Sequence, residues 1–161
     1  MGVHITLLCV GKIKESFYRQ ALEEYTKRLS RYCRLQIAEV QDEKTPDGAG
    51  EKEEASILEK EGKRLLARIP EGAFVCTLEI GGKALTSEQF AQRLQELQVQ
   101  GVSEICFVIG GSLGLSPEVI ARAQMHLSFS AMTFPHQLMR VILTEQIYRA
   151  FRILSGEPYH K

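Results

Sequence analysis

The sequence predicts one α/β domain, built on a mostly parallel sheet with helices on both faces. Short apolar runs of strand length alternate with longer segments whose apolar residues recur at helical spacing. One of those runs, EICFVIGG at 104–111, passes straight into glycines, as strands do where loops converge at the edge of an open α/β sheet. A chain of 161 residues is long enough for one sizeable core and too short for two.

VHITLLCV at 3–10 reads as a strand buried on much of both faces. In 14–32 the residues Phe17, Ala21, Tyr25 and Leu29 fall at four-residue spacing and mark one apolar stripe on a helix. RLQIAEV at 34–40 alternates as a second strand, and DEKTPDGAG at 42–50 is a charged loop of turn formers. Ala55, Leu58, Leu65, Leu66 and Ile69 outline a second helix ending before Pro70. AFVCTLEI at 73–80 is a third strand, closed by a turn at Gly81-Gly82. Thr86 with Gln89 three residues later is a capping box, opening a helix striped by Phe90, Leu94 and Leu97. After the strand at 104–111, Ser116-Pro117 supplies a cap and a first-turn proline for a short helix over 117–125. A last short strand is expected at 126–130, and a long helix at 136–154.

Composition bounds the function loosely. Formal net charge is zero, with seven Lys/Arg against four Asp/Glu in residues 1–40, six against ten in 41–80 and four against two in 135–161. Basic ends around an acidic middle are compatible with holding a polyanion on one face, and equally with an ordinary solvated surface. No run approaches the roughly 18 apolar residues of a membrane span, and no cleavable signal is visible, so a cytoplasmic chain is expected. Cys9, Cys33, Cys76 and Cys106 have no CxxC spacing, and three lie in apolar runs, which favours free buried thiols over disulfides or zinc. His4, His126, His136 and His160 have no metal-ligand spacing either, so no metal is expected.

The helix at 136–154 is apolar almost all round. At 100° per residue His136, Arg140, Leu143, Ile147, Phe151 and Leu154 share one face, while Glu145, Arg149 and Arg152 share the opposite one. An arginine in an apolar stripe needs a carboxylate, a carbonyl cluster or a ligand, because burying an unpaired guanidinium costs several kcal/mol. For Arg140 a structural salt bridge across a dimer interface and a substrate role are equally open. The ending GEPYHK cannot extend the helix, which leaves Tyr159 and His160 to fold back over a site. Such an apolar helix with a basic, aromatic tail suggests a site assembled at a subunit interface.

Ligands of a parallel sheet bind at the carboxyl ends of its strands, which here means Leu78–Gly82, Ile109–Ser116 and Phe129–Pro135. IGGSLGLS lacks the GK[ST] ending of a phosphate loop and no acidic residue stands at dinucleotide-fingerprint distance, so a nucleoside without a triphosphate fits better. FSAMTF offers small and apolar groups with open backbone amides, suited to an adenine edge. Composition alone makes Met132 core filler. GGSLG is not a nucleophile elbow, and no catalytic triad is evident.

Taken together, ITLLCVGKIK, IGGSLGLS, LSFSAMTFPHQLMRVILTEQIYRAFRI and GEPYHK resemble one family over residues 3–161. It is the small single-domain SPOUT-class (α/β-knot) methyltransferases that methylate a pseudouridine of large-subunit ribosomal RNA at N3. The resemblance implies a C-terminal trefoil knot, a homodimer, and S-adenosylmethionine bound at Leu78, Gly110, Phe129, Ser130, Ala131, Met132, Thr133 and Phe134. It also implies that the substrate is the ribosomal RNA of the assembled ribosome. Because N3 of the neutral base carries a proton, the proposed catalytic residues are His160 as acceptor, Tyr159 as its helper and Arg140 as a stabilising cation. His136, Arg149 and Arg152 are the candidates for RNA contact. Two rivals are a non-catalytic ribosome- or RNA-binding α/β module, and a knot-fold enzyme acting on transfer RNA ribose. The latter is expected to carry an early arginine base and a different terminal motif.

Overall fold

The computed structural model describes residues 2–161 and contains ten elements in strict alternation. In chain order they are β1 (Val3–Val10), α1 (Ser16–Leu29), β2 (Cys33–Val40), α2 (Glu51–Arg68), β3 (Phe74–Ala84), α3 (Ser87–Val99), β4 (Glu104–Ile109), α4 (Pro117–Arg122), β5 (Met125–Ser128) and α5 (His136–Leu154). The five strands are all parallel, in the order β2-β1-β4-β3-β5. Parallel neighbours need crossover helices, and those helices cover both faces of the sheet.

The strand pleat sorts the core into two layers. Ile5, Leu7 and Cys9 of β1 face one way and pack with Leu29 of α1, Phe90 and Leu94 of α3, and Leu143 and Ile147 of α5. Leu8 and Val10 face the other way and pack with Leu65 of α2 and Val119 of α4. The four cysteines are free and buried, and desolvation pushes the Cys9, Cys33 and Cys106 thiols up to about 12. His4 pairs with Glu104 at 2.7 Å across the parallel β1–β4 register.

Local signals in the sequence are realised at the helix starts. Thr86 Oγ1 accepts from the Gln89 N–H at 3.0 Å, while Gln89 Oε1 accepts from the Thr86 N–H at 2.9 Å. Ser116 accepts from the Val119 N–H at 3.3 Å with Pro117 in the first turn of α4.

The expected strand at 73–80 is longer than its pattern indicates. β3 continues to Ala84, and its pairing with β5 shifts register between Leu78 and Lys83, both of which lie opposite Leu127. Gly81-Gly82 is therefore part of an irregular strand and not its end. A Cβ on Gly82 would lie 2.8 Å from the carbonyl carbons of His126 and Leu127, so only glycine lets β3 return to β5 after the irregularity. On α1 the buried residues are Leu22 and Leu29. Phe17, expected in the apolar stripe, is 60% exposed and lies against the Tyr18 ring at 4.4 Å.

Candidate active site

Three loops meet at the carboxyl ends of β3, β4 and β5 around a cavity of about 330 Å³, at the lower end of the volumes that small-molecule sites occupy. Leu78, Gly110, Phe129, Ser130, Met132, Thr133 and Phe134 line it, as does His136; Ala131 is exposed and is not among the lining residues.

The loop after β4 is tight because of its glycines. Gly111 and Gly114 form an antiparallel bridge, Gly114 has φ +87°, and a Cβ on Gly110 would lie 2.6 Å from the Gly114 carbonyl carbon. The backbone folds on itself and presents main-chain groups to the cavity. The loop after β5 is organised by its serines: Ser128 Oγ donates to the Ser130 carbonyl at 3.2 Å, and Ser130 Oγ accepts from the Met132 N–H at 2.9 Å. This turn leaves Met132 74% exposed on the cavity rim, which corrects its reading as core filler. Apolar walls from Leu78, Ile109, Leu127 and Phe129, with folded-back main chain on two sides, fit an adenosine-bearing ligand.

His136 opens α5 at the cavity wall. Its Nδ1 is buried without a hydrogen-bond partner, and desolvation, aided by the nearby Arg140 cation, holds its pKa below the ordinary histidine value. Arg140 is 0% exposed. Its Nη1 donates to Glu39 Oε2 of β2 at 2.5 Å, and its Nη2 donates to the Gly11 carbonyl at 2.9 Å. Of the partners expected for it, the carboxylate and the carbonyl are both found inside one chain.

The remaining candidates gather on the outer face of α5. Tyr159 donates to Glu145 Oε2 at 2.6 Å, meets Tyr148 edge-on at 4.9 Å and lies under the Arg149 guanidinium at 4.8 Å. Burial, then the hydrogen bond to Glu145, pushes its phenol up to about 12, so Tyr159 is held as a donor. Arg149 also donates to Glu145 at 3.0 Å and to His160 Nδ1 at 3.1 Å. Because arginine has only donors, His160 accepts at Nδ1 and presents Nε2–H to Glu88 of α3. Arg152 grips the turn into the tail through Glu157 at 2.8 Å and the Pro158 carbonyl at 3.3 Å, with Tyr32 donating to Glu157 at 2.5 Å.

None of Tyr159, His160, Arg149 and Arg152 lines the cavity. One chain thus brings together the three loops and His136, and separately the tail with two arginines. Two carboxylates escaped the sequence reading as site residues. Glu145 organises the tail, and Glu79, at the cavity wall, is bonded to Thr77 and His126. A carboxylate closing an apolar strand, as in CTLEI, was the available signal for Glu79.

The family described as "Predicted SPOUT methyltransferase" matches residues 3–160. Two proteins named Ribosomal RNA large subunit methyltransferase H, from Clostridium beijerinckii and Clostridium novyi, are 59% and 57% identical over 159 residues, covering 99% of this chain and 100% of each relative. In fold, the chain is similar to a probable methylase family protein from Haemophilus influenzae, with TM-score 0.54 and 13% identity, over 99% of this chain and 70% of that one. The chain belongs to the SPOUT methyltransferase family.

Proposed function

We propose that this protein transfers a methyl group from S-adenosylmethionine to N3 of a pseudouridine in large-subunit ribosomal RNA, acting in the cytoplasm as a homodimer on the assembled ribosome. The observation that carries the reading is the cavity, whose walls include seven of the eight residues expected to hold the cofactor. The relatives' name supports ribosomal RNA as the substrate class. When bound, the cofactor supplies an electrophilic methyl group on a sulfonium.

The chain's own residues have to orient the base, remove the N3 proton and offset the developing negative charge. His160 is the proposed proton acceptor, but with Nδ1 accepting from Arg149 and Nε2 facing Glu88 its lone pair is engaged in the single chain. It becomes competent when the tail leaves this perch for the cavity of a partner subunit. Tyr159, a protonated phenol, acts as a hydrogen-bond donor, and Arg149 and Arg152 contact the RNA or stabilise its anion. Arg140, enclosed and paired with Glu39 and the Gly11 carbonyl, contributes by fixing the start of α5, and with it His136, against β1 and β2.

The test is transfer of tritiated methyl from S-adenosylmethionine to ribosomes that lack this modification, with free ribosomal RNA in parallel, followed by nucleoside analysis. The expected result is N3-methylated pseudouridine from ribosomes only. Absence of cofactor binding and of transfer would leave a non-catalytic RNA-binding module.

A further inference from the structure

Glu79 stands at the end of the regular part of β3, on the wall of the cavity, and its carboxylate is held from behind. Thr77 Oγ1 donates to Glu79 Oε2 at 2.5 Å, and His126 Nδ1 lies 2.6 Å from the same oxygen and 2.8 Å from Thr77 Oγ1. One placement of hydrogens satisfies all three contacts. The His126 Nδ1–H is shared between Glu79 Oε2 and Thr77 Oγ1, while the threonine hydroxyl gives its proton to Oε2. Thr77 and His126 are Cα partners in the β3–β5 register and Thr77 is 0% exposed, so this support is built into the sheet. Both donors fall on Oε2, and among the described residues no hydrogen bond is made to Oε1.

The cavity gives that carboxylate an electrostatic consequence. Among its lining residues Glu79 is the only acidic side chain. His136, the only basic one, is biased toward its neutral form by burial and by Arg140. The cavity wall therefore carries a single carboxylate among mostly apolar groups, where a charge acts more strongly than in water. A clamp that served only to join β3 to β5 would need neither a formal charge nor a place on the cavity wall.

We propose that Glu79, positioned by Thr77 and His126, is the group by which the cavity distinguishes the cationic methyl donor from its neutral thioether product. This rests on the cofactor assignment made above. S-Adenosylmethionine carries a methyl group and a sulfonium charge that S-adenosylhomocysteine lacks, while the two share the adenosine and amino-acid parts. A fixed anion adds affinity for the first and little for the second, favouring exchange of spent product for fresh donor.

The experiment is calorimetric titration of the full-length protein with S-adenosylmethionine and, separately, S-adenosylhomocysteine, for the wild type, Glu79→Gln and Glu79→Asp. Glu79→Gln should weaken donor binding about tenfold and product binding less than about twofold. Glu79→Asp should retain part of the preference. In the wild type, added salt should weaken the donor more than the product, a readout that needs no variant. Equal losses for both ligands, no loss for either, or equal salt dependence would overturn the proposal while leaving the cofactor assignment intact. Failure of the wild type to bind either ligand would overturn both.

Discussion

Arg140 of α5 and Glu39 of β2 lie 101 positions apart in the chain and meet at 2.5 Å, with the arginine fully enclosed. This ion pair, with the Gly11 carbonyl, ties the start of the last helix to the second strand and to the end of the first. Only the arginine is enclosed, Glu39 being 34% exposed, and an enclosed charge is tolerated with its partner and costly without it.

Removing one member should therefore be worse than removing both. Glu39→Ala takes the carboxylate from an enclosed guanidinium that keeps only the Gly11 carbonyl, and should cost about 1–3 kcal/mol in urea unfolding. The double variant Glu39→Ala/Arg140→Met should recover part of that loss. Additive costs would show that the two side chains do not act as a pair.

His136 makes stability sensitive to mild acid. Its folded pKa is below the ordinary value while the unfolded chain titrates near 6.5, so the unfolded state takes up the proton first. The protein should lose stability as pH falls through about 6.5 toward the folded pKa. His136→Gln should flatten this part of the profile in denaturation curves collected between neutral and mildly acidic pH; an unchanged slope would contradict the assignment.

Glu61 of α2 has the opposite sign of shift for a carboxylate. It is buried, and desolvation raises its pKa although its Oε2 accepts the Glu43 N–H at 2.9 Å. Its ionised form thus opposes folding at neutral pH, and the penalty fades as pH falls through the folded pKa. Glu61→Gln, which keeps the acceptor, should raise the melting temperature at pH 7 and confer no advantage in acid. A lower melting temperature at pH 7 would contradict this.

The adjacent glycines of β3 should respond very differently to a methyl group. Nothing lies within 4 Å of a Cβ at Gly81, whereas one at Gly82 meets the backbone of β5. Gly82→Ala should cost about 1–3 kcal/mol by forcing two strands apart, and Gly81→Ala should be near neutral. Equal effects in thermal unfolding would argue against the close approach of β3 and β5.

The contrast between Gly82 and Thr86 shows how far the sequence could be read. Thr86 and Gln89 cap α3 through contacts three residues apart, and the stripe of Phe90, Leu94 and Leu97 repeats within a single helix, so local pattern suffices. Gly82 reads as a turn because its constraint comes from His126 and Leu127, more than forty residues later. Arg140 announces that it needs a partner, but not that Glu39 supplies it. The three loops of the cavity follow from strand ends and glycines. The clamp on Glu79, the perch of Tyr159 on Glu145 and the exposure of Met132 depend on strand register and turn geometry, which composition does not encode.

The central claim is that the cavity of one subunit and the tail of the other form one site, since a single chain holds them apart. The most direct measurement is methyl transfer to ribosomes by a heterodimer isolated after co-expression of two differently tagged chains. One chain carries Thr133→Arg, which adds bulk and positive charge at the cavity rim, and the other carries His160→Ala. Each homodimer should be inactive, and the heterodimer should regain one working site of two, about half of the wild-type rate per dimer. A heterodimer as inactive as either parent would contradict the claim and place cavity and tail of each site in the same chain.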